Sequence, residues 1–537
     1  MSVIRTYLRE HTNPVVFLVS AILALVFVGW GSIWPAALGD VANLLMDWIT
    51  YYFGWWYLLV VFGFLIFIIC LLISPYGRIR LGKDDERPEW TRWSWFSMLF
   101  TAGMGIGLVF FGVYEPVWHF TRPPDPGVAA GSAEAARQAM HLTYFHWGLH
   151  PWAIYLIIGL AMGYFCFRHD LPLRPAAALY PLVGNRIHGW VGNLVDILAV
   201  FGTLFGLATS LGLGAKQINT GLSEVFGVPD VWGAQLVIIA VVTSVAVTSV
   251  VLGLSAGVRR LSVINMYLAI LLAAVVFVAG PTVFILEYLV QSIGYYLDNL
   301  IGTSMQLFAL ESGDRDWTEG REWKGAWTLF YWGWWCAWSP FVGMFIARVS
   351  RGRTIREFIL GCLFAPVGAS MAWFAILGGS AIHAIREGGN EALAGAGKTN
   401  AMFVLMEQLP IGDILATGLS LLAILVVAIF FATSSDSGSL VVDMLTNGGD
   451  PQPRWQQRFG WAVLQGVIAA VLLVAGAMTA AGTQDLEASD ALNALQTAAV
   501  TAGLPFSVVL VFMCWGLVRQ LKQDRVPPSP VVQAAHG

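Results

Sequence analysis

Five tryptophans, Trp327, Trp332, Trp334, Trp335 and Trp338, fall within the fourteen residues from Trp327 to Pro340, in an otherwise apolar stretch. Tryptophan in membrane helices ordinarily collects at the headgroup belts, where the indole N–H stays wet. A helix beginning near Glu322 puts Trp332 to Trp338 some ten residues in, or about 15 Å at 1.5 Å per residue, which is near the bilayer centre. Trp332, Trp335 and Trp338 follow one another at intervals of three and are read as sharing one side, with Trp334 pointing elsewhere. Indole faces turned to one point can hold a cation that has no hydrogen bonds to donate, such as a methylated ammonium. The alternative is bulky packing against neighbouring helices.

A second aromatic set lies at His146-Trp147-Gly148-Leu149-His150-Pro151-Trp152-Ala153-Ile154-Tyr155. Trp152 and Tyr155 share a helix face, and Trp147 joins them if Pro151 bends the helix. Two independent clusters favour a cation–π site over packing. Gly103-Met104-Gly105-Ile106-Gly107 places glycines at alternate positions, which suits an unwound stretch where backbone must approach something. Thr433-Ser434-Ser435-Asp436-Ser437-Gly438-Ser439 is a polar run that interrupts another apolar span. Its hydroxyls could ligate a hard cation or bond back to their own helix. His146 and His150 have no third ligand in sequence and are expected to be hydrogen-bonded packing residues. Asp436 is expected to have a structural partner, and Glu115 to cap a helix or pair in a vestibule.

These residues must be positioned by membrane helices. The 537-residue chain is 57% hydrophobic and 12% charged, with mean hydropathy +0.69, outside the range of soluble domains. A net charge of −4 gives no footprint for nucleic acid, and five scattered cysteines form no disulfide framework. Apolar runs at 14–37, 52–74, 93–118, 138–166, 190–215, 231–253, 260–286, 322–346, 355–384, 410–445, 456–482 and 500–521 predict twelve spans. With both termini cytoplasmic, the inner segments carry 21 of the 29 Lys and Arg, as the positive-inside rule requires. An amphipathic outer helix is expected over Glu287 to Leu310, and a disordered tail over 522–537.

Taken together, Gly-Met-Gly-Ile-Gly at 103–107, Phe-His-Trp-Gly-Leu-His-Pro-Trp-Ala-Ile-Tyr at 145–155, Tyr-Trp-Gly-Trp-Trp-Cys-Ala-Trp-Ser-Pro-Phe-Val-Gly-Met-Phe at 331–345 and Thr-Ser-Ser-Asp-Ser-Gly-Ser at 433–439 resemble the signatures of the betaine/choline/carnitine transporter family. The resemblance implies an all-α integral membrane protein with a LeuT-type inverted repeat of two five-helix units, 92–286 and 322–521. Two extra helices within 1–91 precede them, the outer helix and loop lie at 287–321, and a homotrimer in the bacterial plasma (inner) membrane is expected. It implies substrate contacts at Trp147, Trp152, Tyr155, Trp335, Trp338, Met104, Gly105 and Gly107, with Trp332 and Trp334 along the pathway. Na⁺ would meet Thr101, Met104, Phe430, Thr433 and Ser434, and a second Na⁺ would meet Thr203, Ser210 and Phe341, a site weakened by Leu207. Choline-importing relatives commonly carry Asp where this chain has Gly107, so the resemblance points to a zwitterion such as glycine betaine. Choline, ectoine and dimethylsulfoniopropionate, or sodium-independent exchange of carnitine type, are the alternatives. No catalytic cluster or organic cofactor is expected; the partners are Na⁺, the onium solute and the lipid bilayer.

Overall fold

The computed structural model describes residues 12–103, 105–252, 255–309, 317–450, 454–480 and 492–524. It is helical throughout, and the described residues contain one isolated bridge, Arg80 with Thr354, and no strand. The helices of eight or more residues are α1 Pro14–Ile33, α2 Pro35–Ile73, α3 Arg92–Gly103, α4 Ile106–Thr121, α5 Ala133–Trp147, α6 Leu149–Met162, α7 Trp190–Phe226, α8 Trp232–Val251, α9 Ser255–Ala279, α10 Thr282–Ser304, α11 Trp317–Lys324, α12 Phe330–Val349, α13 Ile355–Gly388, α14 Ala401–Gln408, α15 Asp413–Thr446, α16 Trp455–Ala480 and α17 Asn493–Leu521. Local sequence sets many of their ends. Asn13 caps α1 ahead of Pro14, Thr354 and Glu357 form a capping box on α13, and Gly227 and Gly389 close α7 and α13 at positive φ.

Ten helices among the described residues are long and apolar enough to cross a membrane. The expected spans three and eight are not among them. Span three is split into α3, ending at Gly103, and α4, capped by Gly105, of 12 and 16 residues, each too short to cross alone. Span eight runs from α11 through the wide turn Gly325–Leu329 into α12, where Trp and Tyr lower the mean hydropathy.

Three further expectations are corrected. The polar run 433–439 interrupts nothing: α15 passes through it unbroken, because Thr433 Oγ1 donates to Ile429 O at 2.8 Å and Ser439 Oγ to Asp436 O at 2.7 Å, satisfying the hydroxyls within the helix. The outer helix is α10, beginning at Thr282 because Gly280 and Pro281 end α9 early. Span two is a 39-residue helix, continuous with the segment read as a loop before it. Most of the tail at 522–537 lies outside the described residues.

The most hydropathic windows of α1, α8 and α9 are only 22%, 33% and 28% buried, so they form the periphery, while that of Ala133–Arg168 is wholly buried at the centre. Both ends of the described chain reach one face: Asn13 N–H donates to Thr446 O, and Asp524 accepts from Arg168. Helix α12 meets its neighbours in two ways. Against α6, Ile346 fills the notch at Gly159 and Ile158 the notch at Gly343. Against α7, Gly202 and Gly206 lie directly on the backbone of Ala337 and Trp338, and against α17, Gly503 lies on the carbonyl of Gly333.

Candidate functional site: an aromatic box at the break in the third span

The break between α3 and α4 turns glycine backbone toward the tryptophans of α12. A Cβ at Gly105 would stand 3.0 Å from the Trp338 ring, and one at Gly107 would stand 2.7 Å from both Trp147 and Trp334. Only glycine allows rings this close to the main chain. A second break lies at Gly148 between α5 and α6, and not at Pro151, which is inside α6; it lets Trp147 turn toward the same place.

Trp147 meets Trp335 edge to face at 5.0 Å and Trp334 at 6.3 Å. Tyr155 meets Trp335 at 6.2 Å and Trp152 at 5.7 Å, and Trp335 stacks toward Trp338 at 6.2 Å. Trp147, Trp152, Tyr155, Trp335 and Trp338 are thus brought into one buried cluster. The rings close directly on one another.

The arrangement on α12 differs from the expected one. Trp334 does not point elsewhere: it stacks on Trp335 at 4.7 Å and 13°, and on Trp338 at 6.1 Å. Trp332 leaves the box and stacks on His150 at 5.3 Å, edge to face with Phe145. The reason is periodicity. Tyr331, which sequence reasoning missed, stands with Trp334, Trp335 and Trp338 at i, i+3, i+4 and i+7, and this set defines the inner face. Its ring lies 5.7 Å from Trp335.

Behind the box lies a buried carboxylate. Glu115, on α4 and fully buried, accepts from Trp147 Nε1 at 2.8 Å and from Tyr331 Oη at 2.5 Å through Oε2, and pairs with His146 Nδ1 at 2.7 Å through Oε1. His146 Nε2 reaches Thr328 Oγ1 at 3.0 Å, and His150 Nε2 reaches Ser304 Oγ at 2.9 Å. Glu115 therefore fixes two rings of the box, a role its position before Pro116 does not disclose. His119, also missed, sits one turn further along α4, fully buried.

A cavity of about 990 Å³ at the end of the bundle away from Asp524 reaches down to Phe111, Trp327 and Phe330. Phe111 in turn touches Trp147 at 5.9 Å and Tyr331 at 5.5 Å. Phe330, also on the cavity wall, stacks on Trp334 at 5.3 Å, so a single layer of rings lies between this vestibule and the box.

The expected ion positions are less completely placed. Met104 and the side chain of Thr101 lie outside what is described. Thr433 is buried on α15, and Phe431 meets Ile106 across Gly214, so α15 passes the first turn of α4. Thr203 and Ser210 donate to Ala199 and Gly206 of their own helix, Phe341 stacks on Trp338, and Leu207 fills the notch at Gly438. Asp436 has the partner expected of it, Arg458 at 2.7 Å.

Residues 15–526 match the family model described as BCCT, betaine/carnitine/choline family transporter. The chain is 42% identical over 537 residues to the glycine betaine transporter OpuD of Bacillus subtilis, covering 98% of this chain and 100% of that one. It is 41% identical to a glycine betaine transporter of Acinetobacter baylyi, over 98% of this chain and 76% of the relative. It is 39% identical to the high-affinity choline transport protein of Escherichia coli, over 96% and 73%. With a family match along nearly its whole length and relatives named as transporters at 39–42% identity, the chain belongs to the betaine/carnitine/choline family of transporters.

Proposed function

We infer that this protein is a Na⁺-coupled symporter of a zwitterionic quaternary-ammonium solute, with glycine betaine as the type substrate, in the bacterial inner membrane. The observation that carries the reading is the contact of Gly105 and Gly107 backbone with the rings of Trp338, Trp147 and Trp334. Aromatic faces suit the onium, and exposed backbone N–H groups at a helix start suit a carboxylate. Gly107 brings no fixed negative charge to repel that carboxylate. The substrate's ammonium sits among Trp147, Trp152, Tyr155, Trp335 and Trp338 once the rings part, with Phe111 as the outer door. Two relatives are named for glycine betaine and one for choline, which agrees with an onium box and leaves Gly107 as the discriminating position.

Na⁺ is held by neutral oxygens: the hydroxyls of Thr433 and Ser434 and the carbonyls of Thr101, Met104 and Phe430. Thr433 Oγ1 spends its proton on Ile429 O, which leaves lone pairs free to ligate. The ten spans, with broken α3–α4 and bent α11–α12 as the remaining two, support twelve crossings in a LeuT-type inverted repeat. The ends of the described residues, Asn13 and Asp524, share a face with Arg80, Lys83, Arg168, Arg351 and Arg353, which supports cytoplasmic termini. A homotrimer is part of the same reading.

The test is uptake of radiolabelled glycine betaine, choline, ectoine and carnitine into proteoliposomes under inward Na⁺ or K⁺ gradients. Accumulation of betaine with Na⁺ alone, and a Thr433→Ala variant needing more Na⁺ for the same rate, are expected. Equal accumulation without Na⁺ overturns the coupling, and choline accumulated as well as betaine overturns the preference for a zwitterion.

A further inference from the structure

We propose that Glu115, His119 and His146 form a site for one divalent transition-metal ion of the zinc class, and that an ion there inhibits uptake. One ligand atom from each of these residues lies within 4.8 Å of the others, and all three side chains are fully buried. Glu115 Oε1 stands 2.7 Å from His146 Nδ1 and 3.7 Å from His119 Nε2. These separations straddle the distance of about 3.3 Å that tetrahedral ligands at about 2.0–2.1 Å from zinc have from one another.

The second and independent observation is His119 itself. Neither of its ring nitrogens makes a hydrogen bond, although the imidazole is shut away from solvent between Trp327, at 4.5 Å, and Trp118, at 5.3 Å. A buried imidazole whose nearest polar neighbour, Glu115 Oε1 at 3.7 Å, is too far to hydrogen-bond is poorly explained by packing and well explained by a ligand between the two. The surroundings are those of a built site. Glu115 Oε2 is fixed by Trp147 and Tyr331, and His146 Nε2 lies against Thr328 Oγ1, which leaves Nδ1 for the metal. Trp118 and Trp327, which pack on His119, also line the 990 Å³ vestibule, so the approach to the site is past these two rings.

Two imidazoles and a carboxylate select a borderline ion such as Zn²⁺ or Co²⁺ and not the hard Na⁺, so this site is distinct from the coupling-ion position. Sequence had paired His146 with His150 and found no third ligand. The fold gives His150 to Ser304 and supplies His119 and Glu115 instead. A metal bound at Oε1 would pin the carboxylate that orients Trp147 and Tyr331, and the rings that must part would then be held.

The experiment uses tag-free full-length protein in nanodiscs, titrated with Zn²⁺ calorimetrically and with Co²⁺ by visible absorption, alongside uptake in proteoliposomes. One equivalent of Zn²⁺, a tetrahedral Co²⁺ spectrum, loss of both in His119→Ala, and uptake reduced at least fivefold by Zn²⁺ in the wild type but not in His119→Ala are expected. His119→Ala should transport normally without metal; Glu115→Gln, read by binding alone, guards against a folding defect in the first variant. Absence of saturable binding, or binding that survives both substitutions, overturns the site. Binding that leaves uptake unchanged overturns its inhibitory role. None of these outcomes depends on which onium is carried.

Discussion

The aromatic box and the face that carries the chain ends solve the problem of charge in opposite ways. In the box one carboxylate, Glu115, is wholly buried and holds Trp147, Tyr331 and His146. At the end face charge is plentiful and, apart from the buried pair of Arg174 with Asp196, shallower: Lys83 pairs with Asp170, Arg168 with Asp84 and Asp524, and Arg351 with Glu86. A buried acceptor with several donors cannot be replaced by water, whereas each exposed pair can trade its partner for solvent at little cost. The box is therefore specified atom by atom, and the face is specified by composition.

That contrast ranks the effects of substitution. Glu115→Ala should be the most damaging, costing about 3–5 kcal/mol of stability because buried donors lose their acceptor. A fall in thermal midpoint with uptake reduced more than tenfold checks it, and Glu115→Gln, whose amide oxygen can still accept from Trp147 and Tyr331, should recover part of both. Trp335→Ala should come next, losing about 2 kcal/mol of cation–π attraction, or about thirtyfold in apparent betaine affinity, with the fold intact. Unchanged affinity would break the box outright. Gly107→Ala adds a methyl 2.7 Å from two rings and should cost about 1–3 kcal/mol, read as slower uptake and a lower midpoint.

The smallest effect belongs to the exposed pairs. Arg351 hydrogen-bonds Glu86 and holds its carboxyl below the usual glutamate range, so the pair stabilises the folded state above the ordinary value of 4.5 and loses that contribution as the pH falls through the lowered one. Arg351→Ala should cost at most about 1 kcal/mol at neutral pH, and less in high salt or in acid. A large, salt-independent loss would erase the distinction between the two regions.

The same contrast explains what could be read from the chain alone. Gly105, Gly107 and Trp335 were legible because close approach and helical spacing are local properties. Trp332 was misassigned only because Tyr331 was left out of the periodic set. Glu115 with His146, 31 residues apart, and Asp436 with Arg458, 22 apart, were not legible as pairs, since nothing local says which distant donor a buried acid will meet. The second break was expected at Pro151 and falls at Gly148, and α15 shows that a polar run need not be a break: its hydroxyls close onto their own turn.

The two kinds of contact made by α12 bear on how such a machine could change shape. Where Ile158 and Ile346 seat in the notches at Gly343 and Gly159, any slip between α12 and α6 must first unseat branched side chains. Where Gly202 and Gly206 bear on the main chain of Ala337 and Trp338 no branched side chain is seated, and the tie there is the bond from Trp334 Nε1 to Gly206 O at 3.2 Å; against α17 Val500 seats at Gly333. The path of least resistance carries α6 along with α12 as a single piston, with α7 as its guide.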